Sequence, residues 1–183
     1  KVFVTDGTHE LTYAEIYNRS QQLALGLRRR GLTAGDRVAV QLPNWAAFVV
    51  IAAALTRIGA VMVPIMPIYR RDEVTHVVDD AAIRMAIAPV EFKGFDYLEM
   101  FEGIRRESST LSEIVAVRAG ADDREALADR DIDVLEDLIL GDITADEVDA
   151  ELDFRAHPDD PYVIVYTSGT TSRPKGRVHT FNT

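Results

Sequence analysis

Tyr162-Val-Ile-Val-Tyr166-Thr-Ser-Gly-Thr-Thr-Ser-Arg-Pro-Lys-Gly176 is the stretch on which the reading of this chain turns. Its first five residues are apolar or aromatic and bounded by Pro161, the pattern of a short buried strand. Five hydroxyl side chains follow within six positions (Thr167, Ser168, Thr170, Thr171, Ser172), interrupted only by Gly169. Glycine lets the backbone turn tightly and expose its amides as an anion-binding concavity. Hydroxyls add donors that rotate toward oxygen atoms. Lys175 supplies a compact positive charge, Arg173 offers another, and Pro174 stiffens the backbone between them. The group lies just past the carboxyl end of a strand, where open α/β sheets bind ligands. This chemistry suits the phosphates of a nucleotide. It nominates Thr167, Ser168, Gly169, Thr170, Thr171, Ser172 and Lys175 as the contacts.

Two other readings compete. An ordinary mononucleotide P-loop needs Gly, four residues, then Gly-Lys-Ser/Thr at the start of a helix. Here Lys175 precedes Gly176, and the β-prone run Arg177-Val-His-Thr180 follows, so that reading fails on order. A Ser/Thr/Gly-rich segment is often a flexible linker. The β-prone runs on both sides weigh against that.

Working outward, β-like and helical patterns alternate. Strands are expected at Val2–Thr5, around Leu11, at Arg37–Leu42, Val61–Ile65, Arg84–Ala88 and Ile114–Val117. Thr12 and Glu15 carry the spacing of a capping box for a helix with Ile16, Leu23 and Leu27 on one face. Arg28, Arg29 and Arg30 suit its negative end, and Gly31 supplies the stop. Trp45–Gly59 reads as a nearly all-apolar helix and Asp72–Asp80 as a short one. Glu91–Ser112 reads as loop and helix. The order predicts an α/β fold, a largely parallel sheet with helices on both faces.

The 183 residues carry 20 basic and 30 acidic side chains, a net charge of -10, which disfavours nucleic acid as a partner. The acidity is local. Residues 121–160 hold 16 acidic and three basic side chains, a charge of -13, leaving +3 for the rest. This segment reads as a solvated surface run, with an acidic docking surface as the sharper alternative. There is no cysteine, which excludes disulfides and thiolate chemistry and fits a reducing, cytoplasmic setting. The longest apolar run, Trp45–Leu55, has 11 residues, against roughly 20 for a membrane span. A soluble chain is therefore expected. Lys1 in place of methionine leads us to expect a piece of a longer protein. His9, His76, His157 and His179 show no metal-ligand spacing, and no Gly-x-Ser-x-Gly elbow occurs.

Tyr166–Gly176 followed by His179-Thr180 resembles the phosphate-binding signature of the adenylate-forming enzymes, Tyr-Thr-Ser-Gly-Thr-Thr-Gly-x-Pro-Lys-Gly. That family includes acyl-CoA synthetases, non-ribosomal peptide adenylation domains and firefly luciferase. Ten of the eleven positions are compatible. The resemblance extends to Leu11-Thr-Tyr-Ala-Glu15, Gly35-Asp-Arg-Val38, Leu42-Pro-Asn44 and Arg57-Ile-Gly-Ala-Val61 with Pro64-Ile-Met-Pro67. It implies the N-terminal part of an AMP-binding domain over residues 1–183, ending just after the phosphate loop. The implied enzyme joins a carboxylic acid to coenzyme A through an acyl-adenylate, using ATP and Mg²⁺. Pro64–Arg70 and Pro89–Met100 bear a fainter similarity to cyclohexanecarboxylate and medium-chain acyl-CoA ligases, which points to a fatty or alicyclic acid.

Ser172 and Arg177 depart from the family's usual glycine and valine. If position 172 requires positive φ, serine there costs about 1 kcal/mol. The family's adenine segment, ribose-binding aspartate and catalytic lysine have no match in the chain, so it is expected to be inactive alone. The alternative reading is a non-catalytic α/β module with a degenerate loop, whose acidic segment binds a partner.

Overall fold

The computed structural model describes residues 1–167 and 174–183. The chain opens on a hairpin of β1 (Val2–Thr5) and β2 (Glu10–Thr12). Thr12 then caps α1 (Tyr13–Arg29). The Glu15 amide donates to the Thr12 hydroxyl and the Glu15 carboxylate accepts from the Thr12 amide at 2.8 Å, the reciprocal arrangement its spacing predicts. Next come β3 (Arg37–Val40), α2 (Ala46–Ile58), β4 (Val61–Pro64), α3 (Arg71–Asp80) and β5 (Met85–Pro89). A two-residue-per-strand hairpin, β6 (Glu91–Phe92) and β7 (Phe95–Asp96), leads into α4 (Tyr97–Glu107) and β8 (Glu113–Val117). The expectation for this stretch contained the helix and lacked the hairpin, whose turn at Lys93-Gly94 uses two positive φ angles. The acidic segment forms α5 (Asp123–Asp129), β9 (Asp133–Val134), α6 (Leu135–Leu138) and α7 (Ala145–Glu151). The chain closes with β10 (Pro161–Thr167) and β11 (Lys175–Thr180).

Among the described residues, seven strands make one sheet in the order β11-β10-β4-β3-β5-β8-β9. Every pairing is parallel except β10 with β11. The fold class is therefore the expected one, mixed α/β with a mostly parallel sheet. Along β3 the side chains alternate between two cores. Val38 and Val40 join α1, α2 and α6 on one face, while Ala39 joins α3 and α4 on the other. Both faces being covered explains why the strand reads as an unbroken apolar run rather than an alternating one.

The chain leaves β3 for β4 on one side through α2, then returns across β3 through α3 to reach β5. These opposed crossovers place α2 and α3 on opposite faces, as right-handed connections require. The strand order therefore reverses between β3 and β5, the kind of switch point at whose carboxyl side open α/β sheets bind ligands. β10 runs parallel to β4, so Thr167 ends at that same edge.

The acidic segment is bolted to α1. Leu127, Ile132, Val134, Leu135 and Leu138 are buried in the two cores. Arg29 donates to Glu151 at 2.6 Å and Glu147 at 3.0 Å, and Arg30 pairs with Asp133. The arginines read from sequence as dipole partners of α1 are thus also its ties to this segment. A Cβ at Gly26 would overlap the Leu138 carbonyl oxygen, so α1 and α6 touch backbone to backbone there. No helix among the described residues is long and apolar enough to cross a membrane.

Candidate functional site

The nominated residues run from the end of β10 to the start of β11. Ser168, Gly169, Thr170, Thr171 and Ser172 lie outside the described residues, as does Arg173. The other two nominated contacts, Thr167 and Lys175, are directly paired across the antiparallel ladder. Both are exposed. A hydroxyl-bearing and an ammonium-bearing residue therefore face each other across the neck, at the carboxyl edge of the parallel strands.

The hairpin's own burial differs from expectation. Tyr162–Tyr166 is half-buried rather than fully buried. Val163 packs toward the α1–α2 core and Ile164 and Tyr166 toward the α3–α4 core, at the rim of each. β11 is a sheet edge among the described residues and Val178 on it is exposed. His179, a family motif position, is exposed on β11.

The neck is held by side chains that sequence reasoning did not nominate. The Tyr166 hydroxyl donates to Asp80 Oδ2 at 2.6 Å. Burial first, and then this bond, push the phenol above its ordinary pKa, so it stays a donor. The His76 ring stands edge-on to Tyr166 with centroids 6.3 Å apart. His76 Nε2 lies 2.8 Å from the Pro174 carbonyl, which only accepts, so that nitrogen carries the proton. His76 looked like an isolated histidine in sequence. One signal was present for Asp80: it ends α3 beside Asp79, where the helix dipole disfavours negative charge. An open groove of about 640 Å³ runs beside this contact, between α3 and Pro174.

Elsewhere on the carboxyl edge, Gln41 is fully buried and donates to the carbonyls of Met66 and Tyr69. The Tyr97 hydroxyl donates to Pro67 O at 2.7 Å. Together they pin the turn after β4, leaving Met66 and Ile68 exposed. Asp6 accepts from the Ala46 amide at 2.9 Å, capping α2 from the N-terminal hairpin, and pairs with Arg118, whose guanidinium covers Trp45. Trp45 thus packs as part of the fold, as its place before an apolar helix implies. Among the described residues, no three His, Asp or Glu side chains are grouped to hold a metal ion.

Thr167 and Lys175 lie at the carboxyl edge of the parallel strands, the edge at which open α/β sheets bind ligands. Residues 1–183 match the family model described as AMP-binding enzyme, and the chain belongs to that family. It is 31% identical over 171 residues to the medium-chain fatty-acid–CoA ligase of Escherichia coli (strain K12), covering 93% of this chain and 28% of that protein. To triostin synthetase I of Streptomyces triostinicus it is 35% identical, covering 94% of this chain and 28% of that one. The fold superposes on the apo structure of MbtA from Mycobacterium smegmatis with a TM-score of 0.80 at 24% identity, over 98% of this chain and 31% of that chain. The chain spans about three tenths of the length of these relatives.

Proposed function

We propose that the whole protein is an AMP-forming ligase that activates a carboxylic acid with ATP and passes the acyl group to coenzyme A. In the first step a carboxylate oxygen bonds to the α-phosphorus of ATP as the bond to the bridging oxygen breaks, releasing pyrophosphate. In the second, the thiol sulfur bonds to the acyl carbon, AMP leaves, and the thiol proton passes to solvent.

The observation that carries this reading is the neck: Thr167 and Lys175, paired across the hairpin at the carboxyl edge, in a chain of this family. Preset donors and a lysine stabilise charge developing on a departing pyrophosphate without reorganising during reaction. Ser168, Gly169, Thr170, Thr171 and Ser172 are the remaining proposed phosphate contacts. Mg²⁺ accompanies the phosphates, neutralising their charge; the described residues supply no carboxylate cluster of their own for it. For the acid we favour a fatty or alicyclic one, a choice supported by the names of two relatives. One is the Escherichia coli enzyme; the other, a Rhodococcus jostii ligase 32% identical to this chain, is named for a fused-ring propanoyl substrate. The 183-residue piece alone is proposed to be inactive, and the whole protein to work in the cytoplasm.

Calorimetric titration of ATP·Mg²⁺ into the full-length protein tests the site. Saturable binding that Lys175→Ala weakens about tenfold or more supports it, since a charge-assisted contact is worth roughly 1.5–3 kcal/mol. Equal weak binding by both proteins favours a non-catalytic module instead. Acid-dependent pyrophosphate release, screened over chain length, identifies the substrate. The same release from the isolated piece would refute its inactivity.

A further inference from the structure

α3 sends two polar side chains to the hairpin neck that the reading above leaves without a role. Asp80 accepts from the Tyr166 hydroxyl at 2.6 Å, and His76 Nε2 donates to the Pro174 carbonyl at 2.8 Å. Tyr166 precedes the neck residue Thr167 and Pro174 precedes its partner Lys175, so one helix ties down both chain ends that enclose the loop. Two further observations separate these ties from ordinary packing. Asp80 is exposed, so the core does not need it, and its carboxylate sits in the last turn of α3 with no basic residue nearby on that turn, against the helix dipole. Gly176 leaves open the space that the Tyr166 ring occupies. A Cβ at that position would come within 2.9 Å of Tyr166 Cζ and 3.1 Å of its hydroxyl oxygen.

We propose that α3 is the positioning element of the nucleotide site, with Asp80 and His76 as positioning residues. By anchoring Tyr166 and Pro174 they hold in place, before ligand arrives, the backbone that carries Thr167 and Lys175. Fixing binding groups in advance removes an ordering cost that each binding event would otherwise carry. The inference rests on the nucleotide reading of this segment and adds to it the element that anchors the strand ends on either side. Neither residue touches the nucleotide in this account.

The test titrates ATP·Mg²⁺ into the full-length protein and its Asp80→Ala, Tyr166→Phe, double, Asp80→Asn and Lys175→Ala variants. Asp80→Ala and Tyr166→Phe should each weaken binding about tenfold, because each binding event then carries the cost of ordering the strand end. The double variant should be no weaker than either single one, because both break the same bond. Asp80→Asn keeps an acceptor oxygen and should recover most of the affinity. The KM for the acid should stay level while that for ATP rises, with melting temperatures unmoved. Weakening by Lys175→Ala alone, with Asp80→Ala and Tyr166→Phe binding as wild type, overturns the positioning role and leaves the nucleotide site standing. Lys175→Ala binding as wild type overturns both. A loss in Asp80→Ala that falls on acid and ATP alike, with a lower melting temperature, marks a general structural role and also overturns the proposal.

Discussion

Gly176 pairs with Tyr166 across the hairpin, and the ring of that tyrosine fills the space a side chain would need. The glycine in the Pro-Lys-Gly run thus has a local steric cause: a Cβ there would come within 2.9 Å of the Tyr166 ring that reaches Asp80 and 3.0 Å of Ile164 Cγ2. Gly176→Ala should push the ring aside. We expect ATP affinity to fall about tenfold, equivalent to about 1.4 kcal/mol, with little change in melting temperature because the position is at the sheet edge. Calorimetry and a thermal melt on the same variant check this, and unchanged affinity would contradict it. Thr167 and Lys175 could be nominated from sequence because hydroxyl, glycine and lysine chemistry is local. Asp80 carried only the signal of its unfavourable place at the end of α3, which names no partner, and that partner lies 86 positions away.

At the level of elements, the central strands were legible because burial on both faces leaves continuous apolar runs, as in Val38-Ala-Val40 and Ala86-Ile-Ala88. α1 was legible because Thr12, Glu15 and Gly31 mark its two ends chemically. The acidic segment was harder. Its charge run obscured the five apolar residues that enter the cores, and composition cannot show that Arg29 reaches Glu151 across 122 positions. The turn β6–β7 escaped notice because two-residue strands are too short to show a period. Because α1 and α6 meet backbone to backbone, Gly26→Ala has no flexible neighbour to displace. Overpacking of that kind costs roughly 1–3 kcal/mol. Denaturant unfolding should register a loss of about 2 kcal/mol or more, and a neutral outcome would mean that α6 does not sit on α1.

For the molecule as a whole, the acid limit of stability follows from its carboxylates. Asp6 is held well below its ordinary value, first by the Ala46 amide. Glu147 is lowered from 4.5 to about 2, first by the Thr144 amide and then by Arg29. Glu102 is lowered chiefly by Arg130, and Glu151 by Arg29. A depressed folded-state pKa adds stability that is fully present above the unfolded value and is lost as pH falls through the folded one. The melting temperature should therefore stay level from about pH 8 to 5 and decline below about 4.5. A rise on acidification below that point would show that relief of self-repulsion among the 30 acidic residues outweighs the lost pairs.

A crystal structure of the full-length protein with a non-hydrolysable ATP analogue and Mg²⁺ tests the nucleotide assignment most directly. The account predicts the β- and γ-phosphates at the hairpin neck, with Lys175 Nζ about 2.8 Å from a phosphate oxygen. A triphosphate seated away from Thr167 and Lys175 would contradict it.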